Sequence, residues 1–283
     1  MELGLNLVMV RPEQMPEIAA RAEAAGYGAV FVPDHVVFPV TVDSPYPYSP
    51  DGSFPFGLDT PIYDPWIILT TIAAATSTIK VGTGVYVLPL RHPFVTARAV
   101  TTLDVVSGGR VLRGVGAGWL AEEFTALGLD PERRFSRTEE CIEVLRALWT
   151  EPEPSYHGRH FDFEPVHFAP RPVSDPHPPI ILGGDSDRAL ARAARMGDGW
   201  MSGGVATDVA EIEERVTKVR ALREQYGATG PFEITILFRR PTVDDLARLE
   251  GAGVDRVVVM PWNRSREAIT ALEAFADTAI RNA

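Results

Sequence analysis

Short uncharged apolar runs alternate along the chain with longer stretches of helical periodicity. The first run, residues 3–9 (LGLNLVM), predicts a buried strand. The stretch that follows, RPEQMPEIAARAEAAGYG, puts Met15, Ile18, Ala19, Ala22 and Ala25 on one helical face, and Gly26 supplies the stop. A second strand is expected at 28–33 (GAVFVP). The alternation then repeats. Strand 78–88 precedes helix 93–106, and strand 109–118 precedes helical residues 119–149. Strand 179–184 precedes helix 186–196, and the short 197–203 precedes 207–226. Strand 232–238 precedes helix 243–252, and 255–262 precedes 265–281. Thr242 with Asp245 spells a capping box, and Ser265 is a candidate cap for the last helix.

Eight such units in 283 residues predict an α/β fold, a (β/α)8 TIM barrel, as a single domain over 1–283. An open doubly wound sheet is the alternative, but no strand running into Gly-x-Gly-x-x-Gly opens the chain. Two proline-rich stretches interrupt the rhythm, 34–63 after strand two and 150–178 after the fourth unit. Long loops in a compact domain often act as lids. The first falls on the face where barrel active sites sit, and it is rich in aromatic residues.

Composition narrows the function classes. A formal net charge of −11 argues against nucleic acid and anionic membranes as partners. No apolar run approaches the ~18 residues of a membrane helix. The opening LGLNLVMV is too short for a signal peptide and follows an acid. The single cysteine, Cys141, lies in an amphipathic helical stretch, reads as a buried filler and leaves no internal disulfide, which fits a reducing cytoplasm.

Candidate chemistry clusters at the predicted strand ends. Gly183-Gly184-Asp185-Ser186 joins a strand to a helix; the glycines let a ligand approach, Ser186 can cap the helix, and first-turn amides attract anions. An ordinary capped turn is the other reading, and Asp185 would repel a phosphate unless it turns away. Gly114, Gly116 and Gly118 alternate along strand four and are expected to clear room in the barrel mouth. Gly82 and Gly84 suggest a bulge in strand three. Asp34 and His35 follow strand two directly, where an acid can orient an imidazole for proton exchange. His92 is a weaker candidate at the next strand's exit. The remaining histidines lack a zinc spacing. No Gly-x-Ser-x-Gly, HExxH or Walker loop is present. Lys80 begins strand three and Lys218 lies in a helix, so neither suits a Schiff-base aldolase.

In chain order, VPDHVVF, the run from YDPWIILTT to GVGAGW, EEF, HPPIILGG and GDGW resemble the bacterial luciferase-like flavin and deazaflavin oxidoreductases. The chain is most similar to the actinobacterial branch that uses coenzyme F420. The resemblance runs from Leu3 to about Trp200 and thins over the last third. It implies a TIM barrel with an insertion after strand four, and the stretch 34–63 adds one after strand two. It implies a cofactor ring against Thr83, Gly84 and Val85, with a cis peptide near Gly84-Val85. Gly116, Ala117 and Gly118 would flank the cofactor, and Leu182, Gly183, Gly184, Asp185 and Ser186 would give amides to its phosphate, with Asp185 pointing elsewhere.

The same resemblance assigns proton transfer to His35, and its neighbour Asp34 is expected to back it. Sugar-phosphate dehydrogenases of this superfamily carry a glutamate where this chain has Trp119, which disfavours that substrate. Asn6, Phe38, Trp66, Tyr86 and Trp119 are the expected walls of a pocket for a small apolar or aromatic substrate. The expected activity is an F420-dependent oxidoreductase. An FMN-dependent monooxygenase and a non-catalytic flavin or deazaflavin carrier are the alternatives. A homodimer is expected, and Arg113, Arg133 and Arg134 are candidates for an acidic cofactor tail.

Overall fold

A computed structural model describes residues 1–280. Eight parallel strands close a barrel. In chain order the elements are β1 (Glu2–Asn6), α1 (Met15–Ala25), β2 (Ala29–Val32), α2 (Pro65–Ala75), β3 (Lys80–Val87), α3 (Pro93–Ser107), β4 (Val111–Gly116), α4 (Ala121–Ala126) and α5 (Arg134–Thr150). A two-stranded hairpin, β5 (Tyr156–His157) and β6 (Asp162–Phe163), precedes β7 (Ile180–Gly183). Then come α6 (Asp187–Met196), β8 (Gly199–Met201), α7 (Val209–Gln225), β9 (Glu233–Leu237), α8 (Val243–Gly251), β10 (Arg256–Val259) and α9 (Ala268–Ala279). The barrel order is β1-β10-β9-β8-β7-β4-β3-β2. All eight strands expected from the apolar runs form, each a residue or more shorter than its run.

Strand residues divide between two apolar layers. Ala29, Phe31, Leu112, Ile181, Met201, Leu237 and Val258 fill the barrel interior. Their neighbours along each strand, such as Val30, Val81 and Ile180, pack outward against the helices. Alternation of side chains across the wall produces this division. In α1 the five face residues are buried as expected, and Gly26 ends the helix at φ +95°.

Three expectations need correction. Residues 119–149 are not one helical stretch: Gly128 at φ +71° and the Pro131 turn separate α4 from α5. Ser265 opens a 3-10 turn rather than capping α9, and no side-chain cap bond forms there. Residue 281, the expected end of that helix, lies outside the described residues. The stretch 150–178 is not a lid. Its hairpin runs along the outside of α3 and α5, where Glu140 receives the amides of Arg159 and His160 at 3.0 and 2.7 Å and Phe163 meets Phe94 at 4.7 Å. Apolar rings on both elements make that seam.

Cys141 is fully buried, and burial pushes its thiol up to about 12. Thr242 and Asp245 form the capping box.

One acid staples α1 to the start of β3. Glu23 Oε1 receives Ser77 N, Thr78 N, Thr78 Oγ1 and Ile79 N at 2.5 to 2.9 Å. Burial opposes ionisation, but these donors together hold the carboxyl at about 2, below its ordinary 4.5. A depressed carboxyl stabilises the fold above its unfolded value and loses that contribution as pH falls through its folded value. Urea unfolding of Glu23→Gln is therefore expected to show a deficit at neutral pH that shrinks between about pH 4.5 and 2. A deficit constant over that window would contradict the assignment.

Candidate functional site

The mouth of the barrel is shaped by an irregularity in β3. Thr83 pairs with Arg113 and Tyr86 with Val115, so one extra residue sits in β3 opposite Gly114. The Gly84–Val85 peptide in this bulge is cis. Thr83 Oγ1 donates to the Gly114 carbonyl at 2.8 Å. Gly84 and Val85 are half-buried where most of the strand is buried, so they face the mouth.

The neighbouring glycines serve this bulge. A Cβ on Gly116 would come within 2.7 Å of Val85 Cγ2, and one on Gly183 within 2.9 Å of Val85 Cγ1. A Cβ on Gly114 would overlap the Thr83 carbonyl oxygen. Gly118, at φ +81°, is crowded by Val87 and Phe124. The expectation that the β4 glycines clear space for a ligand is thus corrected. They admit the bulged strand, and Val85 becomes the apolar floor between β4 and β7. Ala117 stays half-buried beside it.

His35 leaves β2 into the mouth, but Asp34 does not back it. Asp34 accepts Val87 N at 2.9 Å and both terminal nitrogens of Arg91 at 2.7 and 2.8 Å. Burial pushes the Asp34 carboxyl above its ordinary value, against the pull of Arg91 and the Val87 amide. The partner of His35 is Glu123 on α4: its Oε2 lies 2.8 Å from Nδ1, and Oε1 receives Val36 N and Val37 N at 2.6 and 3.2 Å. Sequence reading quoted Glu123 within EEF without giving it a role. An acid at the start of the helix that follows the β4 glycines was the available signal; its burial is visible only in the fold.

Aromatic rings surround His35. Phe38 lies 4.5 Å from it and Trp119 6.2 Å, centroid to centroid. Phe54 stacks on Trp119 at 5.4 Å, and Tyr46 meets Trp119 edge-on at 5.2 Å. Tyr46 and Phe54, both from the insertion between β2 and α2, were not singled out from sequence. Trp66 and Tyr86 are misplaced as pocket walls. They touch each other at 5.0 Å in the layer between barrel and helices, with Tyr86 Oη 3.2 Å from Thr96 Oγ1. Strand alternation turns Tyr86 outward. Asn6 stands at the exit of β1, where its Oδ1 takes Val8 N at 2.9 Å.

The turn after β7 departs in part from its expected use. Gly184, at φ +126°, gives its amide to the Met201 carbonyl and takes Trp200 Nε1 on its own carbonyl. Leu182 is a buried wall residue. Neither offers a ligand an exposed donor. Asp185 turns away and accepts Gly203 N and Gly204 N at 2.8 and 3.2 Å. Ser186 Oγ caps α6 through Ala189 N at 3.2 Å. The first-turn amides of Asp187 and Arg188 have no partner within the helix. Tyr48 packs against Gly203 and Gly204, where a Cβ on Gly204 would meet its Cβ at 2.8 Å. Burial, then the Asp185 charge, raises its hydroxyl.

The other candidates have partners of their own within the protein. His92 caps α3, accepting Phe94 N at 3.2 Å. Arg113 is fully buried on the Trp149 ring at 4.3 Å, and burial lowers it to about 9. It therefore cannot meet a cofactor tail. Arg133 pairs with Asp130 at 3.0 Å, and Arg134 donates to the Pro131 carbonyl. Among the described residues no group of three or more acids, histidines and cysteines is placed to hold a metal ion, and no helix is long and apolar enough to cross a membrane.

Similarity to known proteins agrees with this geometry. The chain is 36% identical over 273 residues to an uncharacterized Mycobacterium tuberculosis protein, covering 93% of each. It is 30% identical over 195 residues to the F420-dependent glucose-6-phosphate dehydrogenase of Nakamurella multipartita, covering 68% of this chain and 52% of that one. Over 153 residues it is 34% identical to the FMNH2-dependent dimethylsulfone monooxygenase of Pseudomonas putida, covering 53% and 41%. Its fold matches the crystal structure of monooxygenase RslO1 from Streptomyces bottropensis with a TM-score of 0.80 at 21% identity, covering 100% and 99%. The luciferase-like monooxygenase family model matches residues 4–250. The chain therefore belongs to the luciferase-like family, whose members include F420-dependent oxidoreductases and flavin-dependent monooxygenases.

Proposed function

We propose that this chain is an F420-dependent oxidoreductase acting on a small apolar or aromatic organic substrate. The observation that carries the reading is His35, held by Glu123 among the rings of Phe38, Phe54 and Trp119 at the exit of the strand beside the Gly84–Val85 bulge. A proton-transferring group next to a flat apolar floor is what hydride transfer to or from a small molecule needs. The F420-dependent relative also shares more of this chain than the FMNH2-dependent one.

The residues fit such a cofactor. Gly116 and Gly183 let Val85 lie across the floor, giving a planar ring an apolar platform. The open first-turn amides of α6 suit a phosphate, and Asp185 spends its charge on Gly203 and Gly204 instead. A bound deazaflavin would supply the hydride donor or acceptor. His35 Nε2 would take up or return the accompanying proton. The insertion's rings would exclude water and shape the substrate face. With Trp119 in that wall, a sugar phosphate is a poor fit. The Pseudomonas putida relative supports an FMN-dependent monooxygenase as the second reading.

Titration of the purified apoprotein separately with F420 and FMN, oxidised and reduced, distinguishes the two. Trp119 at the mouth makes intrinsic fluorescence a local reporter. Saturable micromolar binding of F420 with weak FMN binding is expected. Preference for reduced FMN would transfer the assignment to the monooxygenase. Binding of neither would remove the cofactor from the site.

A further inference from the structure

We propose that Glu123 is a positioning residue that ties the tautomer of His35 to closure of the insertion between β2 and α2. The proposal rests on the reading of His35 as the proton-transferring group. Glu123 is 1% exposed, and three consecutive residues meet its carboxylate. Oε1 receives the amides of Val36 and Val37, and Oε2 faces Nδ1 of His35. A carboxylate only accepts hydrogen bonds. In the neutral ring the proton therefore sits on Nδ1, and Nε2 keeps its lone pair for a substrate proton. The other neighbours of the ring, Phe38, Phe54 and Trp119, offer no competing acceptor in line with Nδ1.

The same helical turn holds the middle of the insertion. Glu122 Oε1 receives Asp43 N and Ser44 N at 2.9 and 3.0 Å, and Ser44 Oγ accepts Ala121 N at 3.2 Å. Two adjacent acids of α4 thus fasten the insertion at its root and at its centre. Farther along, Tyr48 lies over Gly203 and Gly204 on the opposite side of the barrel. A ligand entering beneath this strap requires it to lift. Lifting it at the root takes Val36 and Val37 from Glu123 and loosens its hold on His35. The ring is then free to carry its proton on Nε2, where it cannot accept another. Proton transfer is confined to the closed state by one carboxylate.

The test is nitrogen-15 NMR of the neutral His35 ring in the full chain, with amide hydrogen exchange on the same samples. The unaltered protein is expected to show protonated Nδ1 and bare Nε2; the opposite tautomer there would overturn the proposal. In Glu123→Gln the side-chain amide can donate to Nδ1, so a mixture of tautomers and faster exchange at 36 and 37 are expected. Glu122→Ala frees the centre of the insertion without touching His35; it is expected to speed exchange at 36, 37, 43 and 44 and to admit some ring protonated on Nε2, to a smaller extent than Glu123→Gln. An unchanged tautomer in Glu123→Gln would sink the positioning role, and an unchanged tautomer in Glu122→Ala despite faster exchange at 36, 37, 43 and 44 would sink the coupling. If Glu123→Gln does not fold, Glu123→Asp keeps the acceptor and is expected to keep Nδ1 protonated; a mixed ring there counts against the proposal. These readouts do not depend on turnover. Full activity in His35→Ala would remove the functional reading alone.

Discussion

His35→Ala is expected to lower turnover by about 10²–10⁴-fold, the usual contribution of a positioned general acid or base, while F420 binding changes little. His35 stands on the β2 exit, and its packing partners are the rings of Phe38 and Trp119, not the Val85 floor or the α6 turn. On the proposed reading, loss of the imidazole removes the proton acceptor without removing the platform. The deficit should therefore fall on kcat and not on cofactor affinity. The cavity left behind can admit free imidazole, so partial rescue by added imidazole is a second expected result. Stopped-flow turnover with cofactor titration on the same protein checks both. Turnover equal to that of the unaltered protein would show that the proton goes elsewhere.

The second large effect concerns stability. Arg91→Leu is expected to destabilise the fold by about 3–5 kcal/mol, the cost of leaving a buried charge without its partner. Asp34 is 3% exposed and holds both terminal nitrogens of Arg91, whose guanidinium also lies 4.6 Å from the Tyr86 ring centre. Burial raises the Asp34 carboxyl even with Arg91 present, and removing the guanidinium deletes the main opposing pull. The folded variant then binds a proton more readily than its unfolded chain. Its stability should fall as pH rises through the folded pKa, so the deficit is larger at neutral than at mildly acidic pH. Adding Asp34→Asn should restore part of the loss, because an amide can still accept Val87 N without carrying charge. Urea unfolding at two pH values measures this. A deficit independent of pH would mean that Arg91 acts through packing on Tyr86.

Both predictions turn on partners that no local pattern names. Asp34 and His35 are adjacent in sequence, which invited pairing them. Successive residues leaving a strand point in different directions, so Asp34 turned to β3 and His35 to α4. Their partners lie 57 and 88 residues away in the chain. Tyr86 followed the same rule. One residue past the bulge it faced the helices, because the extra residue at Gly84–Val85 resets the alternation. The β4 glycines were legible as a close approach, but whether the approaching group was a ligand or Val85 was not. The rings of Tyr46 and Phe54 lay in a proline-rich stretch without periodicity, and only the closed barrel placed them over Trp119.

The sequence by itself determined the eight strands, the barrel class, the buried face of α1, the Ser186 and Thr242 caps and the position of His35 at a strand exit. Each follows from local periodicity or from the steric demands of one residue on its own backbone. Only the tertiary structure decided which acid holds His35, what the glycines accommodate and which rings wall the mouth. Those depend on the direction of a side chain across a curved wall and on contacts between distant segments, and a one-dimensional pattern carries neither.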